Sequence, residues 1–346
     1  MTTPPVSGDT AARVERFLAE QGLTGPDVMV EPLSGDASTR VYMRVRRSDA
    51  PPQVLAVHPE AFEIDRLPFA GMARLLAAMP VPVPAILAHS GALGILALQD
   101  LGDRTLQEHL RTAATTERLS RYREAVALIA TMQARGAELA TDAEVPYGLA
   151  FDVEKLSFEL RFFTEHFLGG HRAVTLADSE RQALDAEWFT LAEELAAEPR
   201  VLCHRDFHSR NLMLHDDCLW VIDFQDARMG PDTYDLVSLL RDSYVELGPA
   251  EVHGLIEDFL AARGARPTGA FPAAEAEVFR QRFDVMALQR HLKALGTFGY
   301  QASVRNRPAY LESVPRTLSY VRDNLERNPR HARLRDLLAP HLPELR

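Results

Sequence analysis

Cysteine is nearly missing from this chain: Cys203 and Cys218 are the two in 346 residues. Two thiols build neither a disulfide framework nor a four-thiolate zinc site, so buried free thiols in a reducing, cytoplasmic setting are expected. Long apolar runs are also absent, and none approaches the ~18 residues that a membrane-spanning helix requires. A membrane-embedded role is thereby excluded. Basic residues are outnumbered, with 38 Lys plus Arg against 49 Asp plus Glu and a net charge of −11. Such a surface repels polyanions, so no nucleic-acid partner is expected, and nothing signals an obligate protein partner. The opening MTTPPVSGDTAARVERF lacks a basic stretch followed by an apolar one, so no export signal is expected.

What remains is the composition of a soluble globular protein, 46% hydrophobic and 25% charged. At ~150 residues per domain, the length predicts two domains or one large one. In the first third, Asp9-Thr10 reads as a helix cap before a periodic segment ending near Gly22. In VYMRV, Val41, Met43 and Val45 alternate with Tyr42 and Arg44, the pattern of a half-buried strand with Arg44 outward. VLAV at 54–57 reads as its neighbour, and AILA at 85–88 and LGILAL at 93–98 read as a hairpin. Between Phe62 and Met79, Leu67, Gly71, Leu75 and Ala78 recur at helical spacing, and Pro80, Pro82 and Pro84 end that helix. The prediction is a five-stranded antiparallel sheet carrying one main helix.

After QDLGD at 99–103 the pattern turns helical: Leu119, Tyr122, Val126 and Ile129, then Leu156, Leu160, Phe163 and Phe167, then Leu184, Trp188, Leu191 and Leu195. One island of β character interrupts it at 201–231, where LML and CLWVID flank the turn-forming His215-Asp216-Asp217. This is an α+β chain with an N-terminal sheet region to residue 98, a hinge at 99–102 and a mostly helical region from 103 to 346. The two cysteines lie in the strands flanking the island's first loop.

The island holds Asp206, Asn211 five residues later, and Asp223 at the end of the next apolar strand. Phosphoryl transfer needs a carboxylate near the acceptor hydroxyl and hard oxygen ligands for Mg²⁺. Asp206 supplies the first, and Asn211 and Asp223 the second. Taken singly, Asp206 and Asn211 are ordinary turn formers. Asp223 follows Leu219-Trp220-Val221-Ile222, and a carboxylate at the mouth of a buried strand carries a desolvation cost that calls for a cation or donor. His-Arg-Asp-x-x-x-x-Asn followed by Ile-Asp-Phe is the order of residues found in kinases. Asp232 reads as an N-cap with Asp235 in the first helical turn, and Arg290 and Lys293 read as solvated positions on a helix with Phe283, Met286 and Leu295.

The stretch CHRDFHSRNLM…WVIDFQDARMGPDTYDLVSLLRDSY resembles the aminoglycoside phosphotransferase and kinase-like family, which implies a bilobal fold and an ATP-dependent, Mg²⁺-assisted phosphotransferase. LSGDASTRVYMRV, LALQDLGD, LQRHLKALGTFGY and YLESVPRTLSYV are similar to the bacterial sugar kinases that phosphorylate the anomeric hydroxyl of N-acetylmuramate and N-acetylglucosamine in cell-wall recycling. The resemblance implies Asp206 as the hydroxyl-orienting base and Asn211 and Asp223 as Mg²⁺ ligands. It implies Ser34, Gly35, Asp36, Ser38 and Thr39 as a loop over the phosphates, and Gln99 and Leu101 as the adenine-facing hinge. It also implicates His208 and Asp226 at the phosphate, metal or sugar, Arg290 or His291 at the sugar, and Asp235 as a support of the loop.

One departure stands out. Where kinases carry a phosphate-anchoring lysine on the third strand, this chain has His58 after Val54–Val57. Anchoring then falls to Arg40 or the Ser34–Thr39 loop, and a nucleotide-binding protein without turnover stays open. So does a phosphotransferase for another small alcohol, such as an aminoglycoside or a different sugar.

Overall fold

A computed structural model describes residues 8–33, 40–140, 145–263 and 272–346. Packing divides the chain into two units, Met1–Thr105 with Leu212–Gln225 and Leu106–Asn211 with Asp226–Arg346.

The first unit is built on five antiparallel strands, β1 (Met29–Leu33), β2 (Val41–Arg47), β3 (Ala50–Val57), β4 (Ile86–Ser90) and β5 (Ile95–Gln99), in the order β1-β2-β3-β5-β4. The expected sheet is there; the strand that sequence patterning did not locate is Met29–Leu33, whose Pro32 is tolerated on an edge. Met43 and Val45 of β2 join Leu55, Val57 and Ile95 in a core sealed by Val14, Phe17 and Leu18 of helix Gly8–Glu20. The second helix begins at Pro68, where a missing N–H costs nothing, and runs to Ala78. Its buried residues are Phe69, Ala70, Met72, Ala73, Leu75 and Leu76, so of the expected Leu67, Gly71, Leu75 and Ala78 stripe Leu75 is buried and the buried face is otherwise rotated from it.

Arg44 corrects the simple alternation. It is 4% exposed and donates from Nη2 to Asp100 Oδ1 and from Nη1 to Asp103 Oδ2, both at 2.9 Å. A distant pair of carboxylates brings the charge inward.

Strands β7 (Leu212–His215) and β8 (Cys218–Val221) form a hairpin in this same unit. Asp216 and Asp217 take φ of +48° and +60°, the two positive values a two-residue hairpin turn needs. The Val221 N–H donates to the Pro82 carbonyl at 2.8 Å, and Phe224, fully buried, stacks on Phe69 with centroids 4.7 Å apart.

The second unit is helical, as the spacing predicts: Tyr122, Val126 and Ile129 are buried on helix Thr115–Glu138, Leu156, Leu160 and Phe163 on Val153–Phe163, with Phe167 in the segment that follows, and Leu184, Trp188, Leu191 and Leu195 on Asp178–Ala196. Residues Thr164–His171 continue in wider π-helical turns against helix Ala273–Ser303. Gly299 allows this approach, since a Cβ there would meet the His166 carbonyl oxygen at 2.4 Å. Strands β6 (Arg200–Cys203) and β9 (Arg228–Pro231) pair antiparallel inside this unit. Cys203 is buried and Cys218, against expectation, is exposed at the β7–β8 turn; both are free. Among the described residues no helix is long and apolar enough to cross a membrane.

Candidate active site

Strand β6 feeds directly into the loop His204–Asn211. Its register with β9 places Gly230 opposite Val201, where a Cβ would lie 2.5 Å from a ring carbon of Phe151. The loop is fastened from below by Asp235, which is fully buried in the first turn of helix Tyr234–Leu240. Its carboxylate accepts the His204 N–H at 2.6 Å and the Arg205 N–H at 3.0 Å. Arg205 takes φ of +88°, a strained backbone for a residue with a Cβ. Its carbonyl is held from the other side by Arg290 Nη1 at 2.8 Å, which also donates to the Tyr234 hydroxyl at 2.8 Å. Asp242 accepts the Ser209 N–H at 3.0 Å and its hydroxyl at 2.5 Å, fixing the far end.

Asp232 is no N-cap. Helix Tyr234–Leu240 starts from Thr233, and the Asp232 carboxylate accepts from Arg263 Nη1 and Arg282 Nη1, each at 2.7 Å.

Between these fastenings stands Asp206. Lys293 Nζ donates to its Oδ1 at 2.9 Å, Arg290 Nη1 lies 3.6 Å from the same oxygen, and Arg205 Nε lies 3.9 Å from Oδ2. Burial alone would push the carboxyl up, but Lys293, Arg290 and Arg205 outweigh it and hold it well below the usual carboxylate range. Asp206 is therefore an ionised, oriented acceptor at neutral pH. Arg290 and Lys293 are not solvated as their helical positions suggest: their side chains are 10% and 15% exposed. Sequence reasoning passed over Lys293, although it is one of only two lysines in the chain.

Asn211 donates from Nδ2 to the Asp206 carbonyl at 2.9 Å, which leaves its amide oxygen as a hard donor. Asp223 belongs to the first unit, beyond β8. It is exposed, so desolvation does not force a cation on it, and Oδ1 accepts from Gln225 Nε2 at 2.9 Å. It adopts φ of +62°, which aspartate tolerates better than most residues. Each of these is a hard oxygen donor, the kind Mg²⁺ prefers and a thiophilic metal does not.

His208 packs edge-on against Tyr244 with centroids 5.3 Å apart, and burial holds its ring down and neutral. Asp226 pairs with Arg205 Nη1 at 3.2 Å. His291 points elsewhere: Nε2 meets the Arg241 carbonyl at 3.0 Å, the ring stacks on Tyr320, and burial pulls it down to about 3. Gln99 closes β5, and Leu101 is buried beside the Arg44-paired Asp100. Ser34, Gly35, Asp36, Ser38 and Thr39 lie outside the described residues. His58 offers no positive charge to a phosphate, because burial with Arg40 and Arg13 nearby lowers it to about 4. Its ring sits against Phe62 at 5.0 Å, and it follows the last residue of β3, Val57, and precedes Pro59.

Comparison with known proteins follows the same lines. Residues 29–271 match the family model described as the phosphotransferase enzyme family. The chain is 33% identical over 313 residues to an N-acetylmuramate/N-acetylglucosamine kinase of Pseudomonas putida, covering 88% of this chain and 86% of the relative. It is 33% identical to a protein of the same name from Pseudomonas aeruginosa, covering 94% and 92%. Among solved structures, the ADP-bound aminoglycoside phosphotransferase APH(2'')-Ib superposes with a TM-score of 0.57 at 15% identity, covering 90% of this chain and 97% of the other. That last likeness is one of fold.

Proposed function

The chain belongs to the phosphotransferase enzyme family, and from that membership we propose a cytoplasmic, ATP-dependent kinase that phosphorylates the C1 hydroxyl of N-acetylmuramate and N-acetylglucosamine. The observation that carries the reading is Asp206: an ionised carboxylate, aimed by three cations, on a loop braced by Asp235. Relatives named N-acetylmuramate/N-acetylglucosamine kinase span most of the chain and support this choice of acceptor.

In this reading Asp206 accepts the proton of the sugar's C1 hydroxyl as its oxygen forms the new bond to the γ-phosphorus. The bond from phosphorus to the β–γ bridging oxygen breaks, and its electron pair leaves with ADP. Asn211 and Asp223 would be the ligands of a magnesium ion, which would supply positive charge to neutralise the phosphates. Gln99 and Leu101 meet the adenine. Arg290 keeps the Arg205–Asp206 peptide in place, so catalysis is chiefly positioning and charge stabilisation.

Purified protein with ATP, Mg²⁺ and either sugar should release ADP, with phosphorus NMR placing the phosphate at C1 rather than C6. Asp206→Asn should lower turnover by roughly 10²-fold or more, the contribution of a general base, while retaining nucleotide affinity. No turnover with either sugar, or undiminished turnover in the variant, overturns the reading.

A further inference from the structure

The second unit contains a cavity of about 170 Å³ lined by Lys155, Phe158, Glu159, Phe162, Lys293 and Tyr300, with Arg205 on its wall. Arg205 and Lys293 both reach Asp206, so the cavity opens beside the base. Its size is on the scale of one sugar ring, and its three aromatic rings suit the C–H faces of such a ring.

Two features of the lining are unexplained by folding. Glu159 is 3% exposed; Oε2 accepts from Gln289 Nε2 at 3.0 Å, but Oε1 has no hydrogen bond. A buried carboxylate oxygen without a donor is costly, and a ligand hydroxyl or amide N–H satisfies it. The second feature is lysine itself. The chain has two lysines, its other basic side chains being arginine, and both lysines line this one cavity. Lys293 is committed to Asp206. Lys155 lies 4.0 Å from Glu159 Oε1 and 5.1 Å from the Phe158 ring centroid, with its side chain 28% exposed. It is a cation at the mouth of the cavity, paired with Glu159 only at that long 4.0 Å separation. A compact ammonium with rotatable donors suits a single carboxylate whose orientation the protein does not fix in advance.

Resting on the function proposed above, we infer that Lys155 is the specificity-determining residue that recognises the lactyl carboxylate of N-acetylmuramate, while Glu159 Oε1 accepts a hydroxyl or acetamido N–H common to both sugars. The enzyme thereby separates an acidic amino sugar from a neutral one by one cation at the rim. Glu159, below it, holds whichever sugar enters.

The test compares kcat/KM for the two sugars in wild type, Lys155→Gln and Lys155→Arg, with thermal unfolding to confirm that each variant is folded. Losing one charge-assisted hydrogen bond lowers the ratio of N-acetylmuramate to N-acetylglucosamine efficiency by roughly tenfold or more in Lys155→Gln, and Lys155→Arg restores most of it. An unchanged ratio, or equal losses on both sugars, overturns the assignment. Wild type inactive on both sugars overturns the underlying function as well, whereas an active wild type with an unmoved ratio sinks this inference alone. A second measurement needs no turnover. Reductive ¹³C-methylation keeps the lysine charge and labels two side chains plus the N-terminus. N-acetylmuramate should shift the Lys155 dimethylamine signal, assigned by its loss in Lys155→Gln, and N-acetylglucosamine should shift it far less. Equal response to both sugars refutes the role.

Discussion

Replacing Asp235 separates the brace of the active loop from its chemistry. Its buried carboxylate accepts two backbone N–H groups, the buried one of His204 and the part-buried one of Arg205. Asp235→Ala leaves both donors unpaired, at about 1–3 kcal/mol each, so roughly 2–6 kcal/mol in total. Asp235→Asn keeps one acceptor oxygen but sets an NH₂ against the other amide, and loses about half as much. For a unit of this size, 1 kcal/mol moves the unfolding midpoint by roughly 2–4 °C, so Asn should melt roughly 5 °C lower and Ala roughly twice that. Activity should fall further than stability explains. The positive φ of Arg205 is held only while its N–H has Asp235 and its carbonyl has Arg290. Once the first hold is gone the residue relaxes, and the next side chain along is Asp206. A displacement of about 1 Å costs on the order of 10²-fold in kcat. Circular-dichroism melting and ADP release at saturating substrates measure the two effects. An Ala variant that melts with wild type, or one that is destabilised but keeps full kcat, refutes the argument.

Lys293→Met removes the nearest cation from Asp206, whose depressed value keeps it ionised well into acid; the carboxyl then rises, and the acid limb of kcat/KM should move toward neutral pH while activity persists at alkaline pH through Arg290 and Arg205. An unmoved limb counts against Lys293. Arg44→Met strands the buried Asp100 carboxylate, and thermal unfolding should report a loss of roughly 3–5 kcal/mol, the cost of breaking a buried pair; a stable variant would place that pair among the inconsequential ones. Gly299→Ala forces a Cβ against the His166 carbonyl and should destabilise by about 1–3 kcal/mol, with an unaltered melt refuting the close approach.

The elements most legible in the sequence were those set by local pattern. Leucine and aromatic spacing marked the buried faces of three long helices, and Asp216-Asp217 marked a hairpin turn because both residues accept positive φ. The misreadings share one cause, a partner far away in sequence. Arg44 is drawn in by Asp100 and Asp103, more than fifty positions on, and Asp232 is taken from capping by Arg263 and Arg282. Arg290 and Lys293 occupy helical positions that look solvated, yet the face they share meets the loop at Asp206. Within the site, residue order along the loop pointed to Asp206 and Asn211. Glu159 left no signature, since its distinction is a missing donor, which only tertiary packing creates.

The return of Leu212–Gln225 to the first unit has a consequence for how the protein is made. Neither unit is a continuous piece of chain. Phe69 of helix Pro68–Ala78 is still missing its Phe224 partner, and the Pro82 carbonyl its Val221 donor, until more than a hundred further residues have left the ribosome. Strand β6, in turn, must wait for β9 on the far side of that excursion. Synthesis therefore cannot finish one unit before it is well into the other, and cutting the gene at residue 105 would yield two fragments, each lacking or carrying a hairpin that belongs elsewhere.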